Sequence, residues 1–202
     1  MPKYPKLAKR PPWQQPPKPF SRKHAVHGFT LVEAVVVMAI LSVLLSIAVS
    51  WAVTFADSMR LTSQVNVYLS ALHLTRSEAI KRNSRMTLCK SADGLSCTEG
   101  GGWQQGWIIF HDPNHNAVKD VAEAIVHQSP AFPAHFQLVG NSNVAKYVSF
   151  DTTGRTLLAS GAFQAGTLTL CRHSVLGGEA RKIVINSAGR ARVQKIVVST
   201  CV

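Results

Sequence analysis

The sequence predicts an α+β fold: a long N-terminal helix packed on a C-terminal antiparallel β domain. Three observations carry that prediction. From Ala34 to Ala56, 23 consecutive positions carry no charge. The stretch that follows repeats apolar residues at helical spacing. From Met86 onward, short β-rich runs are broken by Gly, Asn and Ser. The chain therefore divides into a basic, proline-rich leader (1–28), a membrane-spanning part of the helix (29–56), an amphipathic continuation (57–85) and a β-rich globular domain (86–202). With 202 residues there is room for one domain beyond the anchor.

The leader comes first. Met1 to Pro19 holds seven of the ten prolines. A segment of that composition buries no core and is expected to be disordered or polyproline-like. Its PPxPP texture also fits a ligand for a cytoplasmic module. Before Phe29 there are seven Lys/Arg and no acid, so the formal +12 of the chain falls to +5 for the rest, 15 basic against ten acidic residues. By the positive-inside rule the leader stays cytoplasmic and the C-terminal domain lies outside.

The uncharged run is long enough to cross a hydrocarbon core, which needs ~20 apolar residues. Neither Pro nor Gly interrupts the chain from Phe29 through Arg85. Glu33 stands at the entrance, where a carboxylate is costly in lipid and calls for a partner. A secretory signal peptide would have a shorter apolar core and a small-residue cleavage site, which Ala48-Val49-Ser50 imitates. An ordinary single-pass anchor accounts for the length and basic flank, but not for the order Gly28-Phe29-Thr30-Leu31-Val32-Glu33.

That hexapeptide resembles the processing site of type IV prepilins and of the pseudopilins of type II secretion. In that family a membrane peptidase cuts after the Gly and methylates the new amino terminus. The resemblance implies cleavage between Gly28 and Phe29, with a prepilin peptidase and other pilins as partners. It also implies an inner-membrane location, single pass, with a periplasmic C-terminal domain that can enter a surface pilus. Glu33 is expected to pair with the free ammonium of Phe29 on an adjoining subunit during assembly, because one buried charge left alone costs several kcal/mol more than a pair. Ser50 departs from the family, many members of which carry Pro there.

Beyond the membrane run, Leu61, Val65, Leu69, Leu72 and Ala79 recur at helical spacing, while Arg60, Gln64, Arg76 and Lys81 lie elsewhere. One helix from Phe29 to about Arg82 is expected. Strands follow over Met86–Cys89, Trp107–Phe110, Ala124–Val126, Phe136–Leu138, Tyr147–Phe150, Thr167–Leu170, Lys182–Asn186 and Val193–Ser199. Runs this short and closely spaced suggest antiparallel sheets. Ser77 to Arg82 at the helix end, Thr87-Leu88-Cys89, Gly106 to Phe110 and Gly189-Arg190-Ala191-Arg192 together look like the GspH/FimT class of minor pseudopilins and pilins. The fold is then expected to be pilin-like.

Four Cys, all beyond the membrane run, suit an oxidising compartment and two disulfides. Cys89 and Cys97 flank a polar loop and read as a small closed turn. Cys171 and Cys201 would tie a hairpin to the C-terminus. A zinc site is the rival reading, and the absence of a CxxC pair argues against it. Asp112, Asn114, Asn116, Asp120 and Glu123 occupy positions 1, 3, 5, 9 and 12 of a calcium-loop pattern, but Ala117 stands where Gly belongs. A polar hairpin loop has the same composition. His111, His115, His127 and His135 are expected to be exposed polar residues, since a loop with Pro113 does not put an HxxxH pair on one face. Trp103, Trp107, Phe110, Phe132, Phe136 and Phe150 are expected to fill the core rather than stack on bases. No nucleophile–base pair, phosphate loop or paired carboxylate is visible, so neither enzymatic activity nor a cofactor or metal is expected.

From Arg172 to Val202 six Lys/Arg face one acid, Glu179. Arg190 and Arg192, two apart on a strand, share a face. Each guanidinium can fork onto phosphate oxygens, with Lys182 and Lys195 as auxiliaries. The resemblance adds that in FimT-like minor pilins a Gly-Arg-x-Arg motif near the C-terminus is associated with DNA binding, and Gly189, Arg190 and Arg192 match it. Double-stranded DNA is thus an expected partner. Two rivals are a solvated basic edge that resists aggregation, and a structural tip pseudopilin of a type II secretion system.

Overall fold

A computed structural model describes residues 28–174 and 177–201. The disorder expected for residues 1–19 lies outside the described residues, as does Val202. One helix, α1, covers Leu31–Arg82. The chain forms two compact units, divided between Ile47 and Ala48.

In the first unit α1 starts with a cap. Thr30 Oγ1 accepts the Glu33 N–H at 3.2 Å, and the Thr30 carbonyl accepts the Ala34 N–H at 3.1 Å. Thr30 and Glu33 stand at the two key positions of a capping box. Leu31–Ala48 has mean hydropathy 2.6 and is solvent-facing throughout in the isolated chain. The hydroxyls of Ser42 and Ser46 donate to the Ala39 and Val43 carbonyls, which removes two polar groups from an otherwise apolar surface. A surface of this kind is stable only against lipid or other apolar helices.

In the second unit the rest of α1 lies on two four-stranded antiparallel sheets. β1 (Met86–Lys90), β2 (Trp107–His111), β3 (Ile125–Ser129) and β5 (Tyr147–Phe150) form the first, in the order β3-β2-β1-β5. β4 (Phe136–Gly140), β6 (Gly166–Arg172), β7 (Gly178–Ile185) and β8 (Ala191–Val198) form the second, in the order β4-β6-β7-β8. Asn83 ends α1 in a left-handed conformation (φ 49°). Ser84 N–H then bonds the Ala79 carbonyl and Asn83 N–H that of Ile80, a Schellman closure that turns the chain into β1.

The core joins both sheets to α1. Leu61, Val65, Tyr68, Leu72 and Ala79 of the helix pack with Trp103, Trp107, Leu88, Leu168 and Ile183, among others. Tyr68 meets Trp103 and Trp107 edge-on, with centroids 5.3 Å apart in each pair. The expected helical stripe omitted Tyr68 and Thr75, both fully buried, and Leu69 is only partly buried. All six aromatics expected in the core are buried. Phe110, however, lies in a second cluster with Cys89 and Ile108. Strand β7 starts four residues earlier than expected, at Gly178, and β3 extends to Ser129.

Candidate functional site

Two regions collect the residues singled out by the sequence. At the N-terminal one, a side chain at Gly28 would meet nothing within 4 Å, and Phe29 is exposed. Glu33 is exposed as well, and its backbone serves the helix start through Thr30. The Thr30-Leu31-Val32-Glu33 spacing was a readable signal for that cap.

The second region is the β7–β8 hairpin. Ile185 pairs with Ala191, and the chain reverses over 186–190. The Asn186 side chain fastens the turn: its Oδ1 accepts the Arg190 N–H at 2.9 Å, while its carbonyl accepts that of Gly189 at 2.9 Å. Gly189 has φ +73°, and a Cβ there would lie 2.1 Å from the Gly154 carbonyl oxygen. No side chain fits against that neighbouring turn, so the glycine before Arg190 has a packing reason of its own.

Arg190 immediately precedes β8, and Arg192 is its second residue. Both are exposed, and together they line a shallow depression with Val184 and Asn186. Cross-strand register puts Lys182 near Arg192: Val184 faces Arg192 and Lys182 faces Gln194, so Lys182 and Arg192 share the outer sheet face. Lys195 is opposite Arg181, on the face turned toward α1. Its charge contributes there to holding the Glu179 carboxyl below its usual range. Lys195, expected as an auxiliary of Arg190 and Arg192, is an odd number of positions from Arg192 along β8, which puts the two side chains on opposite faces.

The remaining cations of this segment are engaged within the fold. Arg181, one of the six cations between Arg172 and Val202, is 2% exposed. Its Nη1 donates to Glu179 Oε1 at 2.7 Å, and its Nη2 donates to Ser58 Oγ at 3.0 Å and Thr62 Oγ1 at 3.2 Å. The hydrogen bond from Arg181 is the first cause of the lowered Glu179 pKa. Arg172 Nη1 reaches Asp57 Oδ2 at 2.6 Å. Among the described residues no carboxylate lies within salt-bridge distance of Arg190 or Arg192.

Cys89 is bonded to Cys97 and Cys171 to Cys201. The second bond sits over Ala180 of β7, with Ile196 and Val198 packed against it. In the Asp112–Glu123 loop, Asp112 and Asp120 accept hydrogen bonds from the loop and from β1. Asp112, fully buried, accepts Thr87 Oγ1 at 2.7 Å and the Asn116 and Ala117 N–H groups. Asp120 Oδ2 accepts the side-chain amides of Asn114 and Asn116. Burial, with Asp112 and Asp120 nearby, raises the Glu123 pKa. Among the described residues no group of three or more His, Cys, Asp or Glu is placed to hold a metal. His111 is not an exposed loop residue: it ends β2, half-buried, with Nε2 2.6 Å from Ser84 Oγ.

Residues 64–189 match the family described as type II transport protein GspH. The chain belongs to the GspH family. Residues 23–49 match the prokaryotic N-terminal methylation motif, which brings processing by a prepilin peptidase and assembly with other pilins. The fold is similar to that of the type IV minor pilin FimU of Pseudomonas aeruginosa (strain PAO1). The crystal structure in space group P21 has a TM-score of 0.52 at 18% identity, over 73% of this chain and 99% of that one. The P65 form gives 0.49 at 18% identity, over 70% and 100%. No curated protein matches the chain. This GspH-family chain is thus a minor pilin or pseudopilin of a type IV or type II system with a pilin-like α+β fold, and its family is one of structural subunits. The family match ends at Gly189, one residue before the two exposed arginines.

Proposed function

We propose that this chain is a minor pilin that binds duplex DNA through Arg190, Arg192 and Lys182, without sequence preference, in the course of DNA uptake. In this reading the leader is removed after Gly28, α1 anchors the subunit in the inner membrane, and the β domain faces the periplasm. Glu33 then pairs with the Phe29 ammonium of a neighbouring subunit. Glu33→Ala therefore leaves cleavage intact and abolishes recovery in sheared pilus fractions; normal recovery overturns that role.

One observation carries the DNA reading. Arg172 and Arg181 are tied to carboxylates, whereas Arg190 and Arg192 are exposed in one depression with none. Two free guanidinium groups on one face suit phosphates, which position a protein on DNA without reading its sequence. Replacing both with Gln in the full chain, held in nonionic detergent micelles, tests the reading. Binding to mixed-sequence duplexes weakens for every sequence, and the slope of log affinity against log salt falls by about 1 per lost contact. Wild-type affinity and slope overturn it. The family's own description, a type II transport protein, favours a second reading in that event: a structural pseudopilin near the tip of a secretion piston.

A further inference from the structure

The hairpin turn that carries Arg190 does not stand alone. The turn Asp151–Arg155 is packed directly against it. Thr156 N–H donates to the Ser187 carbonyl at 3.3 Å, and Thr156 Oγ1 donates to the Asn186 carbonyl at 3.0 Å. The close approach of Gly189 to the Gly154 oxygen completes the contact. From the other side, α1 reaches the same point: Arg76 Nη1 donates to the Gly189 carbonyl at 3.4 Å. A Cβ at Gly154 would lie 2.8 Å from Arg76 Nε. Gly154 and Gly189 meet backbone to backbone, so the turns that carry Arg155 and Arg190, the residues that follow them, lie against each other.

Arg155 is exposed. The one acid on its turn, Asp151, is only partly exposed, and its Oδ1 accepts the Thr153 N–H, the Thr153 hydroxyl and the Arg155 N–H. Among the described residues no carboxylate comes within salt-bridge distance of the Arg155 guanidinium. Arg192 on the outer face of β8, Arg190 at the hairpin end, Arg155 on the adjoining turn and Arg76 on the helix side therefore form a cationic band. It rounds the end of the second sheet. Phosphates spaced along one DNA strand suit a band better than a point.

We propose that Arg155 is a further duplex-DNA contact that extends the hairpin site toward α1, with Arg76 holding the two turns together behind it. This rests on the reading of Arg190 and Arg192 as DNA ligands. The turn's hydrogen bonds to Arg155 are made by its backbone N–H and carbonyl, so replacing the side chain by Gln leaves them in place.

The test uses the full chain in nonionic detergent micelles, a fluorescent mixed-sequence duplex and anisotropy titrations across a range of NaCl concentrations. Arg155→Gln weakens binding roughly five- to tenfold at about 0.1 M salt and lowers the salt slope by about 1. Arg155→Lys keeps the slope. Arg60→Gln removes an exposed guanidinium about 24 Å from Arg76 along α1, at about 1.5 Å per residue, and changes neither quantity. If Arg155→Gln behaves like wild type while the Arg190→Gln/Arg192→Gln protein loses binding, the extension is overturned and the hairpin reading stands. An equal loss in Arg155→Gln and Arg60→Gln also overturns it, since net charge alone then acts. Wild-type binding by the Arg190→Gln/Arg192→Gln protein overturns the hairpin reading and this inference with it.

Discussion

The two ends of the β7–β8 hairpin use the same residue type in opposite ways. At the Gly178 end, Arg181 is buried and saturated by Glu179, Ser58 and Thr62, and the Cys171–Cys201 bond covers Ala180 on the other face. At the Asn186 end, Arg190 and Arg192 face solvent, and the turn is held by backbone and by Asn186 instead. One guanidinium therefore fastens the second sheet to α1, while the other two contribute their charge outward. A basic segment is thus not a basic surface: where each cation points decides whether it serves the fold or a ligand.

The widest separation between the two ends comes from the disulfide. Replacing Cys171 and Cys201 together by Ser opens a loop with a sequence separation of 30. On the chain-entropy estimate this lowers stability by about 4 kcal/mol. Denaturant unfolding of the full chain in micelles measures it, and an unchanged midpoint breaks the claim that this end is stapled.

Arg181→Met comes next. It removes a buried charge whose partner Glu179 keeps some solvent, so the expected loss is about 3 kcal/mol, at the lower end for a broken buried pair. This change also has a pH signature. The Arg181 hydrogen bond holds the folded Glu179 pKa below its ordinary value of 4.5. A depressed carboxyl contributes stability above that ordinary value and loses it as pH falls through the folded one. Wild-type stability therefore drops as pH falls below about 4.5, and the Arg181→Met protein shows a flatter acid limb. Parallel limbs would remove Glu179 from the account.

The smallest expected effect on stability sharpens the contrast most. Arg190→Gln with Arg192→Gln leaves stability within about 0.5 kcal/mol of wild type, because exposed side chains without partners add little to the fold. A loss near that of Arg181→Met would show that these arginines serve the fold, and the distinction between the two ends would fail.

Much of the fold was legible because its signals are local. The uncharged run marked the apolar part of α1, and Leu61, Val65, Leu72 and Ala79 marked its buried stripe. The expected strands all fall on observed ones, with ends displaced by a few residues where pairing extends them. Tyr68 was missed because a phenol reads as amphipathic, and the T-shaped contacts it makes with Trp103 and Trp107 come from outside the helix. Lys195 was grouped with Arg192 because both are basic, although their separation of three already put them on opposite faces.

By itself the sequence determined the helix, the strand-rich domain, the processing motif and the presence of two arginines after a glycine, since each depends on neighbours within a few positions. Only the tertiary structure decided the fate of the cations. Arg181 is buried because Ser58 and Thr62, more than 100 positions earlier, lie opposite it, whereas Arg190 at the hairpin turn is exposed with no carboxylate within salt-bridge distance among the described residues. Burial of a charge requires partners that pay its desolvation cost, and which groups those are is settled by strand register and helix placement that no local pattern encodes.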